Sequence, residues 1–290
     1  MSTLETVDSM GNDRLAPRPR AAAPIRGLRA MRAIVVREVE RSVRASAELV
    51  GAVVWPTLWL VIFAAGVEAV FGSLAAPAYD GAYKPYQEYV IPGLVGMALL
   101  FGAMRFSTRL VASRTEGETK ILLTAPLPRP YLLFCELFAS AIITLVQAYL
   151  FLLVAFAIGI VIPAIDVPWI GWLAAIPAVL LSGFMLAAVT MVVAVLLAKV
   201  RDYSTTMKFV VYPVLLLSPA FYPLWQFRDN GAEYLYVIAS ANPFSHAVEL
   251  IRAAAYGGLD FTALAVVAGS ALVGFVLATI AFDPRRRFGG

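Results

Sequence analysis

The chain has 290 residues, 61% hydrophobic and only 14% charged, with a net charge of +4 and a mean hydropathy of +0.80. A soluble domain carries about half apolar and a quarter charged residues, so this composition excludes an ordinary soluble fold and requires a membrane protein. A single cysteine, Cys135, and a single histidine, His246, exclude an intramolecular disulfide and a His/Cys metal cluster. The Arg residues lie beside apolar blocks, where they report orientation in a bilayer and not a nucleic-acid partner.

Residues 1–27 are rich in Pro, Ala and Arg without an apolar run, so they read as a disordered cytosolic tail and not as a secretory signal. Over 28–46 the apolar Leu28, Met31, Val35, Val39 and Val43 recur at helical spacing, while Arg32, Arg37, Glu38, Arg41 and Arg44 occupy other faces. This spacing predicts an amphipathic helix with Glu40 and Arg44 in the favourable i,i+4 order. Such a helix lies flat on the inner membrane surface or stands as a solvated cytosolic helix.

A helix needs about 20 apolar residues to cross the hydrocarbon core, because every backbone N–H and C=O must be paired inside lipid. Six stretches fit, 49–71, 89–111, 132–162, 169–198, 205–225 and 261–282. The expected fold is all-α, a six-span domain over 47–283 followed by a cytosolic tail, 284–290. Pro56, Pro92, Pro213 and Pro219 predict kinks or broken turns. Of the 23 Lys and Arg residues, all but Lys84, Arg228 and Arg252 fall on one side of this topology. Basic loops stay in the cytosol, so both termini are expected there.

The segment after the second span reads Ser113-Arg-Thr-Glu-Gly-Glu-Thr-Lys-Ile-Leu-Leu-Thr-Ala-Pro-Leu-Pro-Arg129. Thr115 and Glu118 form a capping box, and Pro126 and Pro128 forbid continuation, which predicts a short cytosolic helix or a simple connecting turn. Before the sixth span, Asn242-Pro-Phe-Ser-His-Ala-Val-Glu-Leu-Ile-Arg-Ala-Ala-Ala-Tyr-Gly257 reads as a helix with an Asn N-cap, Pro at the first position and Gly after its end. Phe244, Ala247, Val248, Ile251 and Ala255 make its apolar face, with Glu249 and Arg252 as a potential ion pair on the other. It is too short to span, so an outer interfacial or re-entrant position is expected. Ser218-Pro-Ala-Phe-Tyr-Pro223-Leu-Trp-Gln226 breaks the chain just before it.

Together, the Glu116-Gly117-Glu118 loop leading to Leu122-Leu123 and Pro126-Leu127, the Ser-Pro-Ala-Phe-Tyr-Pro-Leu break and the Asn-Pro-Phe helix with Val248, Glu249 and Arg252 resemble the permeases of type-2 ABC exporters, a family of multidrug, lipid and polysaccharide exporters. The similarity extends over most of 28–282. Tyr222-Pro-Leu-Trp225 and the Asn242 helix resemble the branch found beside quinone-dependent alcohol catabolism genes. In the common pattern a Thr follows the loop Gly directly, whereas here Glu118 separates Gly117 from Thr119. The resemblance implies that 113–126, through Thr115, Glu116, Gly117, Glu118, Ile121, Leu122 and Leu123, docks on a separate ATP-binding cassette ATPase. ATP and magnesium would be held by that partner. It also implies a second permease copy or homologue, a place in the bacterial inner membrane among its lipids, and no catalytic role for this chain. None of the four lysines, Lys84, Lys120, Lys199 and Lys208, follows a glycine, so a P-loop is absent.

Other ionisable and polar groups have two readings each. Glu68 either reaches water at the outer boundary or binds a proton or substrate. Glu136 is expected to pair with Arg105 or Arg109, and Gln147 to bridge helices or line a path. The glycines at 93, 96, 102, 269 and 274 are expected to permit close helix packing. An ion-coupled secondary transporter is the competing class, but it calls for midplane charges and inverted repeats, and spans three and four carry no charge beyond Glu136. An intramembrane enzyme would have to rely on the isolated Ser245 and His246.

Overall fold

The computed structural model describes residues 23–71, 86–115, 128–161, 168–196 and 200–281, and every regular element among them is a helix. In chain order these are α1 (Ala23–Arg44), α2 (Ser46–Leu58), a π-helical segment (Trp59–Ala64), α3 (Ala65–Phe71), α4 (Tyr86–Thr115) and α5 (Arg129–Val161). Then follow α6 (Trp169–Ala174), α7 (Ile176–Leu196), α8 (Val200–Leu216), α9 (Trp225–Asp229), α10 (Glu233–Ser240), α11 (Pro243–Ala255) and α12 (Phe261–Ala281).

Five helical stretches among the described residues are long and apolar enough to cross a membrane: Ala47–Val67, Tyr86–Leu110, Arg129–Gly159, Ile176–Leu196 and Phe261–Ala281. They coincide with the first, second, third, fourth and sixth spans expected from hydropathy. The expected fifth, 205–225, contains a shorter apolar helix, Thr205–Leu216, which gives way to irregular backbone at the Ser218-Pro219 break.

The prolines act locally as their chemistry requires. Pro56 has no N–H to donate back along α2, and the helix widens three residues later into the π segment, while the Thr57 hydroxyl donates to the Val53 carbonyl at 2.7 Å. Inserting an extra residue into a helical turn in this way is a recognised cause of a bend. α11 starts and stops on its predicted signals. The Asn242 Oδ1 accepts from the Phe244 N–H at 3.0 Å, and Gly257, at φ 83°, lets the Gly258 N–H reach the Ala253 carbonyl at 2.8 Å, a turn that a residue with a Cβ would resist.

α4 is the central helix. It packs against α2, the π segment, α3, α5, α7, α8 and α11, and its interior-facing Val90, Ile91, Leu94, Val95, Leu99 and Ala103 are fully or nearly fully enclosed. α7 fills the other side of the core, between α4, α5 and α12. α1 does not stand apart from the bundle: Ile34, Glu38 and Ser42, one turn apart in succession, are buried, and Ile34 packs with Met31 and Val35 on Leu132, Cys135 and Ala139 of α5. Only one flank of the predicted apolar stripe is used in this contact. Leu28, Val39 and Val43, together with Val36, remain exposed.

Candidate functional site

Of the residues expected to dock an ATPase, Thr115 is the last residue of α4, and Glu116, Gly117, Glu118, Ile121, Leu122 and Leu123 lie outside the described residues. The two arms that carry this loop are described. Arg109, one and a half turns before the end of α4, faces Glu38 of α1 at 3.3 Å and Glu48 of α2 at 3.6 Å. On the other arm, Glu136 of α5 meets Arg37 of α1 at 2.7 Å. The expected partners of Glu136, Arg105 and Arg109, are engaged elsewhere, because α1 lies against α5 and brings its own arginine closer. The expected Glu40–Arg44 pair is present at 3.5 Å.

At the opposite end, the Asn242 helix is seated deep in the bundle. Phe244, Ala247, Val248, Ile251 and Ala255 are buried as expected, but so are Ser245, Leu250 and Arg252. Arg252, 5% exposed, does not form an ion pair with Glu249 among the described residues. Its Nη2 donates to the Pro219 carbonyl at 2.6 Å and to the Tyr89 carbonyl at 3.4 Å, and its guanidinium lies 4.1 Å from the centre of the Tyr89 ring. Glu249 is half-buried, and burial pushes its carboxyl above the ordinary carboxylate range against the opposing pull of Arg252 and His246.

The reason for this arrangement is the break after α8. Where a helix stops, its last carbonyls lose their intrahelical donors, and at membrane depth irregular backbone persists only where protein groups satisfy it. Here side chains supply donors to several of these carbonyls. The Asn242 Nδ2 donates to the carbonyls of Val214 (2.7 Å) and Leu217 (2.9 Å), and the Ser218 hydroxyl donates to Leu215 at 2.6 Å. Tyr89 joins Arg252 in donating to Pro219, at 3.1 Å, and the Tyr86 hydroxyl donates to Phe221 at 2.7 Å. Gly93 of α4 lets the Ala220 backbone come so close that a Cβ there would collide with its carbonyl oxygen, and Gly171 of α6 does the same for Ala255 at the end of α11.

The break, α11 and the start of α4 thus form one hydrogen-bonded seat. Tyr86, Tyr89 and Gly171 are the parts that sequence reasoning missed. Their acceptors are backbone carbonyls, which carry no residue-specific signal, although two tyrosines three apart at the head of an apolar helix are a readable hint. Ser245 and His246 do not come together as a catalytic pair: the Ser245 hydroxyl is directed to the Leu217 carbonyl at 3.4 Å and the His246 Nε2 to the Ser240 carbonyl at 2.8 Å. Gln147 bridges helices, accepting from Arg105 at 3.1 Å. The side chain of Glu68 lies outside the described residues.

A comparison with curated proteins found no match. Residues 29–256 match the family model of the ABC-2 type transporter, a match that takes in most of α1, the first four apolar crossings, α8, the break and α11, and stops before the last helix, α12. The chain therefore belongs to the ABC-2 type transporter family, as a multi-pass membrane permease component of an ABC transporter.

Proposed function

We propose that the chain forms the substrate path of an exporter and draws its energy from a separate ATP-binding cassette ATPase docked on residues 113–126. Ile121, Leu122 and Leu123 supply a small apolar anchor for a groove on that partner, with Thr115, Glu116, Gly117 and Glu118 at the entry, a helix-in-groove contact. ATP and magnesium belong to the partner. Two permeases, two copies of this chain or this chain and a homologue, enclose the path, with both termini in the cytosol of a bacterial inner membrane. The α8 to α9 stretch makes the fifth of six crossings. The branch associated with quinone-dependent alcohol catabolism is the subgroup that the Tyr222-Pro-Leu-Trp225 run favours.

One observation carries the coupling reading. α4 is continuous from the outer seat, where Tyr86, Tyr89 and Gly93 hold the break, to Thr115, where the docking loop begins. A helix of 30 residues is a rod of about 45 Å, so displacement of the loop by an ATPase reaches the outer end without passing through a flexible joint other than Pro92. The spans are mostly apolar and aromatic with few ionisable groups to hold an ion, so an amphiphilic or hydrophobic cargo fits such a path better than an ion does.

The test is association. The chain is purified with its ATPase in detergent, and the double substitution Ile121→Asp with Leu122→Asp is compared with the wild type. Loss of the ATPase from a permease that still melts cooperatively supports docking through this loop. Equal binding by the double variant removes the loop from the interface and reopens the ion-coupled transporter as the alternative.

A further inference from the structure

Two guanidinium groups sit one helical turn apart near the inner end of α4, those of Arg105 and Arg109. The charged groups around them pair off unevenly. Glu38 and Glu48 take Arg109 at 3.3 and 3.6 Å, Arg41 stands 4.0 Å from Glu38, and Glu136 takes Arg37 at 2.7 Å. No carboxylate among the described residues lies within ion-pair distance of Arg105: Glu48, already taken by Arg109, attracts it only from farther off, and its one side-chain bond goes to the neutral Gln147 Oε1 at 3.1 Å. A guanidinium has five N–H donors in a planar fork, so most of its capacity is unused there. The Arg109 Nε is likewise buried without a hydrogen-bond partner.

The depth of Arg105 makes this costly. It lies within the apolar stretch Tyr86–Leu110, five residues from its inner end, or about 7 Å along the axis, and a helical side chain leans toward the helix N-terminus, here deeper toward the bilayer centre. A cation held in the hydrocarbon layer without a counter-ion in direct contact is expensive and is a functional group by default. Gln147, only 4% exposed, fixes one edge of the guanidinium, while Arg105 itself is only partly buried and so can be reached. Farther along α5 from Gln147, Leu150 and Leu153 are exposed and offer an apolar track on the adjoining surface.

We propose that Arg105, braced by Gln147 and with Arg109 one turn below, receives the acidic headgroup of an amphiphile, a phosphate or carboxylate carried on an acyl chain and entering from the inner leaflet. The oxyanion supplies the missing negative charge and accepts from the guanidinium fork in the bidentate geometry that arginine favours. A neutral or cationic headgroup makes no equivalent pairing. The occupant is either an acidic bilayer lipid or an acidic cargo. The proposal rests on the permease reading for the depth of Arg105, and it narrows the cargo class of that reading.

The purified chain in maltoside micelles is titrated with dodecyl phosphate and with dodecyltrimethylammonium, which share one chain length, and binding is followed by the shift in melting temperature. The wild type is expected to prefer the phosphate by at least about tenfold, a Coulombic margin of roughly 1.4 kcal/mol. Arg105→Gln is expected to lose that preference, Arg105→Lys to keep part of it, and Arg44→Gln, on the exposed side of α1, to keep all of it. No preference in the wild type, or an unchanged preference in Arg105→Gln, overturns the site. If Arg105→Gln does not fold, the wild-type contrast and Arg105→Lys decide the matter. In a second arm, nanodiscs of phosphatidylglycerol and phosphatidylcholine are ionised and the retained lipid is weighed. Phosphatidylglycerol kept by the wild type and lost in Arg105→Gln identifies a bilayer lipid as the occupant. Equal retention alongside lost dodecyl phosphate selectivity assigns the site to acidic cargo. No readout here involves an ATPase, so failure of this site and failure of ATPase docking are separable.

Discussion

Arg252 and Asn242 each answer a backbone need and not a charge. Asn242 serves as N-cap of α11 and as donor to two carbonyls freed by the break, so Asn242→Ala removes a cap, takes the side-chain donor from Val214 and leaves Leu217 only the long bond from Ser245. The expected loss is about 2–3 kcal/mol, read as a lower melting temperature in micelles. Arg252→Met keeps the bulk near Tyr89 but leaves the Pro219 carbonyl with Tyr89 as its remaining side-chain donor, and it should destabilise by a smaller amount, about 1 kcal/mol. Gly93 and Gly269 make a matched pair. A Cβ at Gly93 meets the Ala220 backbone, whereas one at Gly269 meets nothing within 4 Å. Gly93→Ala is therefore expected to destabilise by about 1–3 kcal/mol through overpacking, while Gly269→Ala is neutral or stabilising by up to about 1 kcal/mol. Equal melting temperatures for the two variants would contradict the close approach of α4 to the break.

Among elements, α1 ties together the two arms of the docking loop, since its Glu38 takes the α4 arm and its Arg37 the α5 arm. The Arg37–Glu136 pair is unequally exposed, 44% against 8%, so its two ends differ in consequence. Removing Arg37 leaves a buried carboxylate without its partner, whereas Glu136→Gln removes the buried charge itself. Arg37→Ala is expected to lower the melting temperature more than Glu136→Gln, and the reverse order would show that α1 does not pair with α5 in the membrane. The helices themselves were legible in the sequence, because long apolar runs, Asn-Pro starts and Gly stops are local signals. α1's partner was not. Its periodicity shows an apolar stripe without saying which neighbour covers it, so the sequence suggests for Glu136 only the arginines nearest in the chain's topology and for Arg252 only the glutamate nearest on its own helix. The two errors have different origins: Glu136 is claimed by Arg37 of a helix whose neighbour the sequence does not name, whereas Arg252 is claimed by carbonyls left unpaired at the break.

For the whole molecule, family and membrane architecture were readable because the motifs fall in order along the chain, while the docking loop rests on resemblance alone. The number of crossings decides where the C-terminus lies. If α8 and the break complete a fifth crossing, a green fluorescent protein fused after Gly290 stays cytosolic and fluoresces in a bacterial host. If that stretch turns back, five crossings export the fusion and it stays dark. The central claim, that an ATPase partner drives this permease, is tested most directly by ATP hydrolysis in proteoliposomes holding the ATPase with or without this chain. The account predicts a several-fold change in hydrolysis rate when the permease is present, abolished by Ile121→Asp with Leu122→Asp. A rate indifferent to the permease, in liposomes where both proteins are shown to be inserted, would contradict it.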